Sequence, residues 1–296
     1  MELWIPITIV AAFLQNVRSL MQKQLTGALS VNGASYVRFL YALPFAWAYL
    51  LILSQLPDQS STLGGIDGRF LAYCLMGSVG QIVGTAALVA SFTHRNFAVG
   101  TAFSKTEAMQ AAVFGLVVLE DLIDARVAGG IAVSLVGVVL LSANVRLKEM
   151  FSQNGVAGLG ILAGAGFAIA AVGFRGASLA LPEGDFIVRA ATTLAMALTM
   201  QTLIMGVYLK IREPGEITRV SRVWRRAVWV GVTGAAASAC WFSAMTIQTA
   251  ALVRALGQIE LIFTFATSVW IFREKIVRRE VFGVVWVVAG LYLLIG

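Results

Sequence analysis

Ten long apolar runs constrain this chain more than any other feature. They span Leu3–Leu20, Val31–Leu53, Phe70–Ser91, Val99–Leu119, Val127–Ser142, Val156–Leu179, Phe186–Leu209, Ala227–Ile247, Ala251–Phe272 and Val281–Ile295. A helix crosses a bilayer with roughly 20 mainly apolar residues. The runs are continuously apolar rather than alternating, which favours helices over a β-barrel. The two shortest, the fifth and the tenth, predict short or tilted helices. Ten such spans leave about ten residues per connection, so no room remains for a soluble domain.

Composition agrees. Of 296 residues, 59% are hydrophobic and 12% charged, against about 25% charged in soluble domains. Mean hydropathy is +0.84. Glycine is abundant at 29 residues, as expected where membrane helices pack through small side chains. Net charge is +7, which in a membrane protein reports topology rather than nucleic-acid binding. Cys74 and Cys240 fall inside apolar runs and read as buried thiols. The single histidine, His94, makes no metal cluster, and no cofactor motif is present. The opening Met-Glu-Leu-Trp lacks a basic stretch, so the first run reads as a retained span.

The chain also repeats itself. Val37-Arg38 recurs as Val188-Arg189, Arg18 as Arg175, and Glu107 as Glu260. Glu120-Asp121-Leu122 closes the fourth run as Glu274-Lys275-Ile276 closes the ninth, and Gly129 and Gly283 then open the fifth and tenth. The pairs lie about 151 to 157 positions apart, always in the same order. The pattern predicts an all-α integral membrane protein of ten transmembrane helices, in two five-helix repeats, 1–150 and 151–296. Five is odd, so the second repeat enters from the opposite side. Inverted repeats with polar groups at mid-membrane are a transporter signature.

Glu107 and Glu260 fall near the middle of their runs, where a charge costs roughly 2.5–3.5 kcal/mol on insertion scales. Such a carboxylate can bind an amine or exchange a proton; the structural alternative is a buried ion pair with Lys105 or an arginine. Lys105 and Gln258 each precede their glutamate by two residues, about 200° around a helix, so Lys105 is expected to reach a neighbouring helix. Gln110 flanks Glu107. Gln15, Asn16 and Gln81 are further candidates to line a cavity, and Trp241 to wall it, with core packing the alternative for each. Arg18, Arg38, Arg175 and Arg189 lie near the ends of their runs. Snorkelling to headgroups is their simpler reading, and gate ion pairs or helix-end contacts the other. Glu120 and Glu274 read as gate or cap residues, and Arg254 as a partner for a carboxylate solute or a headgroup.

The chain resembles the drug/metabolite transporter superfamily, and within it the ten-helix EamA-like group. The residues that carry the resemblance are Tyr36-Val37-Arg38-Phe39, Phe114 through Glu120, Gly129 through Gly137, Trp270 through Lys275, and Gly283 through Gly290. Their order and spacing in both halves carry it, and it covers essentially the whole chain. It implies a monomeric carrier with a central cavity in a bacterial inner membrane, moving small metabolites, often amino acids, as in amino acid export. One departure is the fourth run, where many members have a proline and this chain reads Ser104-Lys105-Thr106-Glu107-Ala108-Met109-Gln110.

Basic residues crowd the connections after odd-numbered runs, among them Lys210, Arg212, Arg219, Arg222, Arg225 and Arg226. The positive-inside rule then puts both chain ends outside, whereas the resemblance implies both inside. The leading expectation is a secondary active transporter of a small polar metabolite, an amino acid or another amine-bearing solute, with proton coupling through Glu107 and Glu260. Import and export are equally open. A passive channel is the alternative. An intramembrane enzyme is remote: the chain has neither a His-Glu-x-x-His helix nor a Gly-x-Ser-x-Gly turn, and its aspartates lie in or beside connections. Without a phosphate-binding loop, ATP drive has no support.

Overall fold

The computed structural model describes residues 2–23, 25, 27–56, 62–92, 103–141, 154–263, 266 and 278–295, and the elements among them are all helical. In chain order the α-helices are α1 Trp4–Lys23, α2 Val31–Leu40, α3 Leu43–Leu53, α4 Gly68–Phe92, α5 Glu107–Leu119, α6 Ala125–Leu141, α7 Asn154–Ala180, α8 Phe186–Arg212, α9 Glu216–Arg222, α10 Trp224–Ile247, α11 Ala250–Gly257 and α12 Arg278–Ile295, with a 3₁₀ turn at Thr62–Gly65. Six described stretches are long and apolar enough to cross a membrane: Trp4–Gln22, Val31–Leu53, Gly68–Ser91, Val156–Ala180, Phe186–Arg212 and Trp224–Ile247. Glu107–Leu119, Ala125–Leu140 and Val281–Leu294 are shorter apolar helices. Large apolar side chains such as Ile52, Val117, Leu203 and Phe282 are exposed, as a lipid-facing surface requires and an aqueous one disfavours.

Three of the runs are not the continuous helices their composition predicts. Val31–Leu53 divides at Tyr41-Ala42 into α2 and α3. Pro44, in the first turn of α3, has no N–H to donate and its ring crowds the carbonyl four residues back, so a straight helix cannot pass. In the fourth run a turn at Lys105-Thr106 precedes α5, and in the ninth a turn at Gln258-Ile259 follows α11 before helix resumes at Glu260.

The helices form two compact units, and each draws on both sides of residue 150. The first comprises 1–82 and 173–248. Within it α1 packs along α10, and α8 packs against α2, α3 and α10. Close approach depends on glycine: a Cβ on Gly173 would stand 2.6 Å from the Gly77 backbone nitrogen. Polar side chains tie the helices together. Trp47 Nε1 donates to Thr199 Oγ1 at 3.1 Å, and Ser178 and Thr246 share a hydrogen bond of 2.7 Å. Thr192, Thr199 and Thr246 return their hydroxyls to carbonyls four residues back, which satisfies a polar group inside an apolar helix.

Outside the spans, the chain after α8 folds onto the start of α2. Ser30 caps α2 and donates its backbone N–H to Glu216 Oε1 at 2.6 Å. Its hydroxyl and Asn32 Nδ2 both bond Glu213, while Arg219 pairs with Glu216 at 3.1 Å.

The second unit comprises 83–172 and 249–296. Its main seam joins α6 and α12, and α11 packs on α5. The seam is close: a Cβ on Gly137 would lie 2.5 Å from the Val287 nitrogen, and one on Gly290 2.5 Å from the Ser134 nitrogen. Such small-residue contacts replace the hydrophobic drive that membrane helices lack.

Candidate functional site

Two helix breaks meet in the second unit. Thr106 turns its hydroxyl back to the Phe103 carbonyl at 2.6 Å and accepts a bond from Gln110 Nε2 at 2.7 Å, which fixes the start of α5. Gln110 also donates to the Ile161 carbonyl at 3.4 Å. From this turn Lys105 extends its ammonium to Glu260 Oε1, 3.5 Å away on the other broken run. The expectation that Lys105 reaches a neighbouring segment therefore holds geometrically. Its side chain is 15% exposed and that of Glu260 23%. Glu107 and Arg254 act on the Lys105 charge through space.

Gln258, 2% exposed, sits in the second turn and bonds Ser134 through one end of its amide. The other end has no hydrogen-bond partner among the described residues. Turning the amide over leaves the same deficit. An amide that buries a polar atom without a partner is costly unless something else fills it.

The remaining candidates are dispersed. In the first unit Trp241 is buried and donates to Gln15 Oε1 at 3.1 Å, pinning α10 to α1. Asn16 is half-buried on α1. Arg175 NH1 bonds the Met245 carbonyl at 2.9 Å and the Gln248 carbonyl at 2.7 Å. That satisfies the open end of α10, where carbonyls and the helix dipole favour a cation. Arg189 is half-buried on α8. Glu120 is exposed and ends α5 in a left-handed conformation, φ 57°. Glu274 and His94 lie outside the described residues. Cys74 is buried as expected, but Cys240 is only half-buried, and both thiols are free. Among the described residues no group of three His, Cys, Asp or Glu side chains could hold a metal ion.

Arg18 is 8% exposed and lines a cleft of the first unit with Arg38, Gln81, Gln201, Ser238 and Phe242. Gly234 admits it: a Cβ there would lie 3.3 Å from Arg18 Cδ. Gln201 Nε2 donates to Gln81 Oε1 at 2.6 Å. Gln201 and Ser134 were not among the expected residues, although each is a polar residue inside an apolar run, as Gln81 is.

The comparisons with known proteins add the family. Residues 156–296 match the EamA-like transporter family model. This half of the chain belongs to the EamA-like transporter family, part of the drug/metabolite transporter superfamily. Membership together with the apolar helices makes the chain an integral membrane protein, and it points to a transporter rather than an enzyme. A solved crystal structure, described only as that of a protein, is similar in fold with a TM-score of 0.74 at 13% identity, covering 99% of this chain and 97% of its own. No curated protein matches the chain significantly.

Proposed function

We propose that this EamA-like transporter is a secondary active carrier of a small polar metabolite, an amino acid or another amine-bearing solute, working by alternating access. Its ten spanning helices form two inverted five-helix repeats, 1–150 and 151–296, in a bacterial inner membrane. The observation that carries the solute class is the Lys105–Glu260 pair. A half-buried carboxylate whose partner is an ammonium on a flexible stem already accepts the chemistry of an amine. A solute amine replaces Lys105 at Glu260, so the carboxylate stays paired, while the displaced ammonium keeps the attraction of Glu107.

The inverted repeat is supported by the matched breaks. Lys105, Thr106 and Glu107 stand 153 positions before Gln258, Ile259 and Glu260, and each triplet forms a turn followed by the renewed helix. Broken helices at corresponding positions of two halves are where carriers place their binding groups, because interrupted helix ends offer polar backbone in an apolar setting. The unfilled end of the Gln258 amide offers the solute a further hydrogen bond. Protons compete for Glu107 and Glu260 in the same way, which gives a route to proton coupling.

The test is a ligand-induced thermal-shift screen of the purified chain over amino acids, amines, nucleosides and sugars. A ligand that binds the folded state stabilises it by mass action. Amine-bearing solutes are expected to raise the melting temperature, and Glu260→Gln to abolish the shift. A hit confined to sugars or nucleosides, unaffected by Glu260→Gln, would remove the carboxylate from the site.

A further inference from the structure

The connection between α8 and α10 sorts its charges by face. Residues 210–226 carry six basic side chains, Lys210, Arg212, Arg219, Arg222, Arg225 and Arg226, and two acidic ones, Glu213 and Glu216. Both carboxylates turn inward: Glu213 bonds Ser30 and Asn32, and Glu216 is buried on the Ser30 N–H. The six basic side chains are all exposed. Arg219 pairs with Glu216, and Arg225 lies over the Trp224 ring at 5.6 Å. The other four make no side-chain hydrogen bond or ion pair among the described residues.

Helix electrostatics do not account for this arrangement. The dipole at the end of α8 favours Lys210 and Arg212, but Arg225 and Arg226 stand in the first turn of α10, where it repels cations. An outside anion supplies the missing balance. The connection joins two stretches long and apolar enough to cross a membrane, Phe186–Arg212 and Trp224–Ile247, which puts it at the bilayer surface. Leu203, Val207 and Ile211 are exposed at four-residue spacing, so one lipid-facing stripe of α8 runs into the basic face. Trp224 and Trp229 are exposed beside the arginines, and tryptophan favours the head-group boundary. We propose that the outer face of 210–226 is a docking surface for anionic phospholipid head groups, with the basic side chains on the phosphates and the two tryptophans at the boundary below. The inner face fixes what bound lipid braces. Glu213 and Glu216 hold the start of α2, and Tyr41 beyond its end donates to the Val220 carbonyl at 3.2 Å. None of these residues enters the Glu260 reading.

The experiment follows thermal unfolding of the full chain in neutral detergent micelles as phosphatidylglycerol or phosphatidylcholine is added. Phosphatidylglycerol is expected to raise the melting temperature saturably, and phosphatidylcholine not. Salt at about 1 M, where the Debye length is ~3 Å, should remove most of the shift. Lys210→Gln, Arg212→Gln, Arg222→Gln and Arg226→Gln combined should raise the phosphatidylglycerol fraction needed for half the shift by about tenfold or more. Arg222→Gln with Arg226→Gln, expected to raise it by about fivefold, serves should the fourfold variant fail to fold. Arg69→Gln, an exposed arginine at the start of α4, should leave it unchanged. Equal shifts from the two lipids would overturn the proposal, as would a shift that survives the salt or is unaltered in the variants at 210–226. An equal shift from soluble glycerol phosphate at matched concentration would overturn it too. So would a response to polyglutamate with none to phosphatidylglycerol, which would assign the face to an acidic protein.

Discussion

Lys105 and Glu260 each lie where a single charge would be costly, and each is the other's remedy at 3.5 Å. Lys105→Met leaves Glu260 without that partner and should destabilise the protein. Because both side chains are partly exposed, the loss should fall below the ~3–5 kcal/mol of a fully buried pair. Thermal denaturation in micelles measures it. A sharper effect belongs outside the membrane, at Glu216, which is 3% exposed and accepts the Ser30 N–H. Glu216→Ala strands that donor and should cost about 1–3 kcal/mol. Glu216→Gln, which can still accept, should cost less. The two sites differ in legibility. An isolated glutamate in an apolar run announces itself, whereas Glu213 and Glu216 sit in a connection whose sequence shows mainly positive charge. Only Pro214-Gly215, with Gly215 at φ +89°, hints that the chain turns back there. The burial of Arg18 was not legible either: it packs on Gly234, a residue 216 positions away, and no local pattern reveals that.

At the scale of elements, apolar length predicted where most helices lie but not where they break. The break before α3 has a local cause in Pro44 and was readable from it. The one at Lys105-Thr106 contains neither glycine nor proline, and the one at Gln258-Ile259 has only Gly257 before it, a weak signal beside the apolar run. Side-chain bonds hold them instead, Thr106 to the Phe103 carbonyl and Gln258 to Ser134. Between elements the close seams are the sensitive points. Gly137→Leu forces a side chain into the backbone of α12 and should exceed the ~1–3 kcal/mol typical of overpacking. The expected readout is a strongly lowered melting temperature. Gly129→Leu, at a position where a Cβ meets nothing within 4 Å, should leave it nearly unchanged.

At the scale of the whole molecule, repetition in sequence and compactness in space divide the chain differently. The proposed repeats divide the chain near residue 150, yet each compact unit needs residues from both sides of it. The main seams say why: α1 packs along α10 in one unit and α6 along α12 in the other, each joining an element before residue 150 to one after it. Residues 1–150 produced alone should therefore be rapidly proteolysed, and co-production with 151–296 should restore protection. This interleaving could not be read from the sequence, because apolar runs carry no record of which partner they pack on.

The central claim is that the chain is a carrier whose solute competes with Lys105 for Glu260. Counterflow in proteoliposomes tests it most directly, with vesicles preloaded with unlabelled amino acids and offered a trace of the labelled forms. The account predicts saturable uptake that internal solute accelerates, with a transient overshoot that Glu260→Gln removes. Uptake that rises linearly with concentration, shows no acceleration by internal solute and is unchanged in Glu260→Gln would contradict it and leave a passive pore.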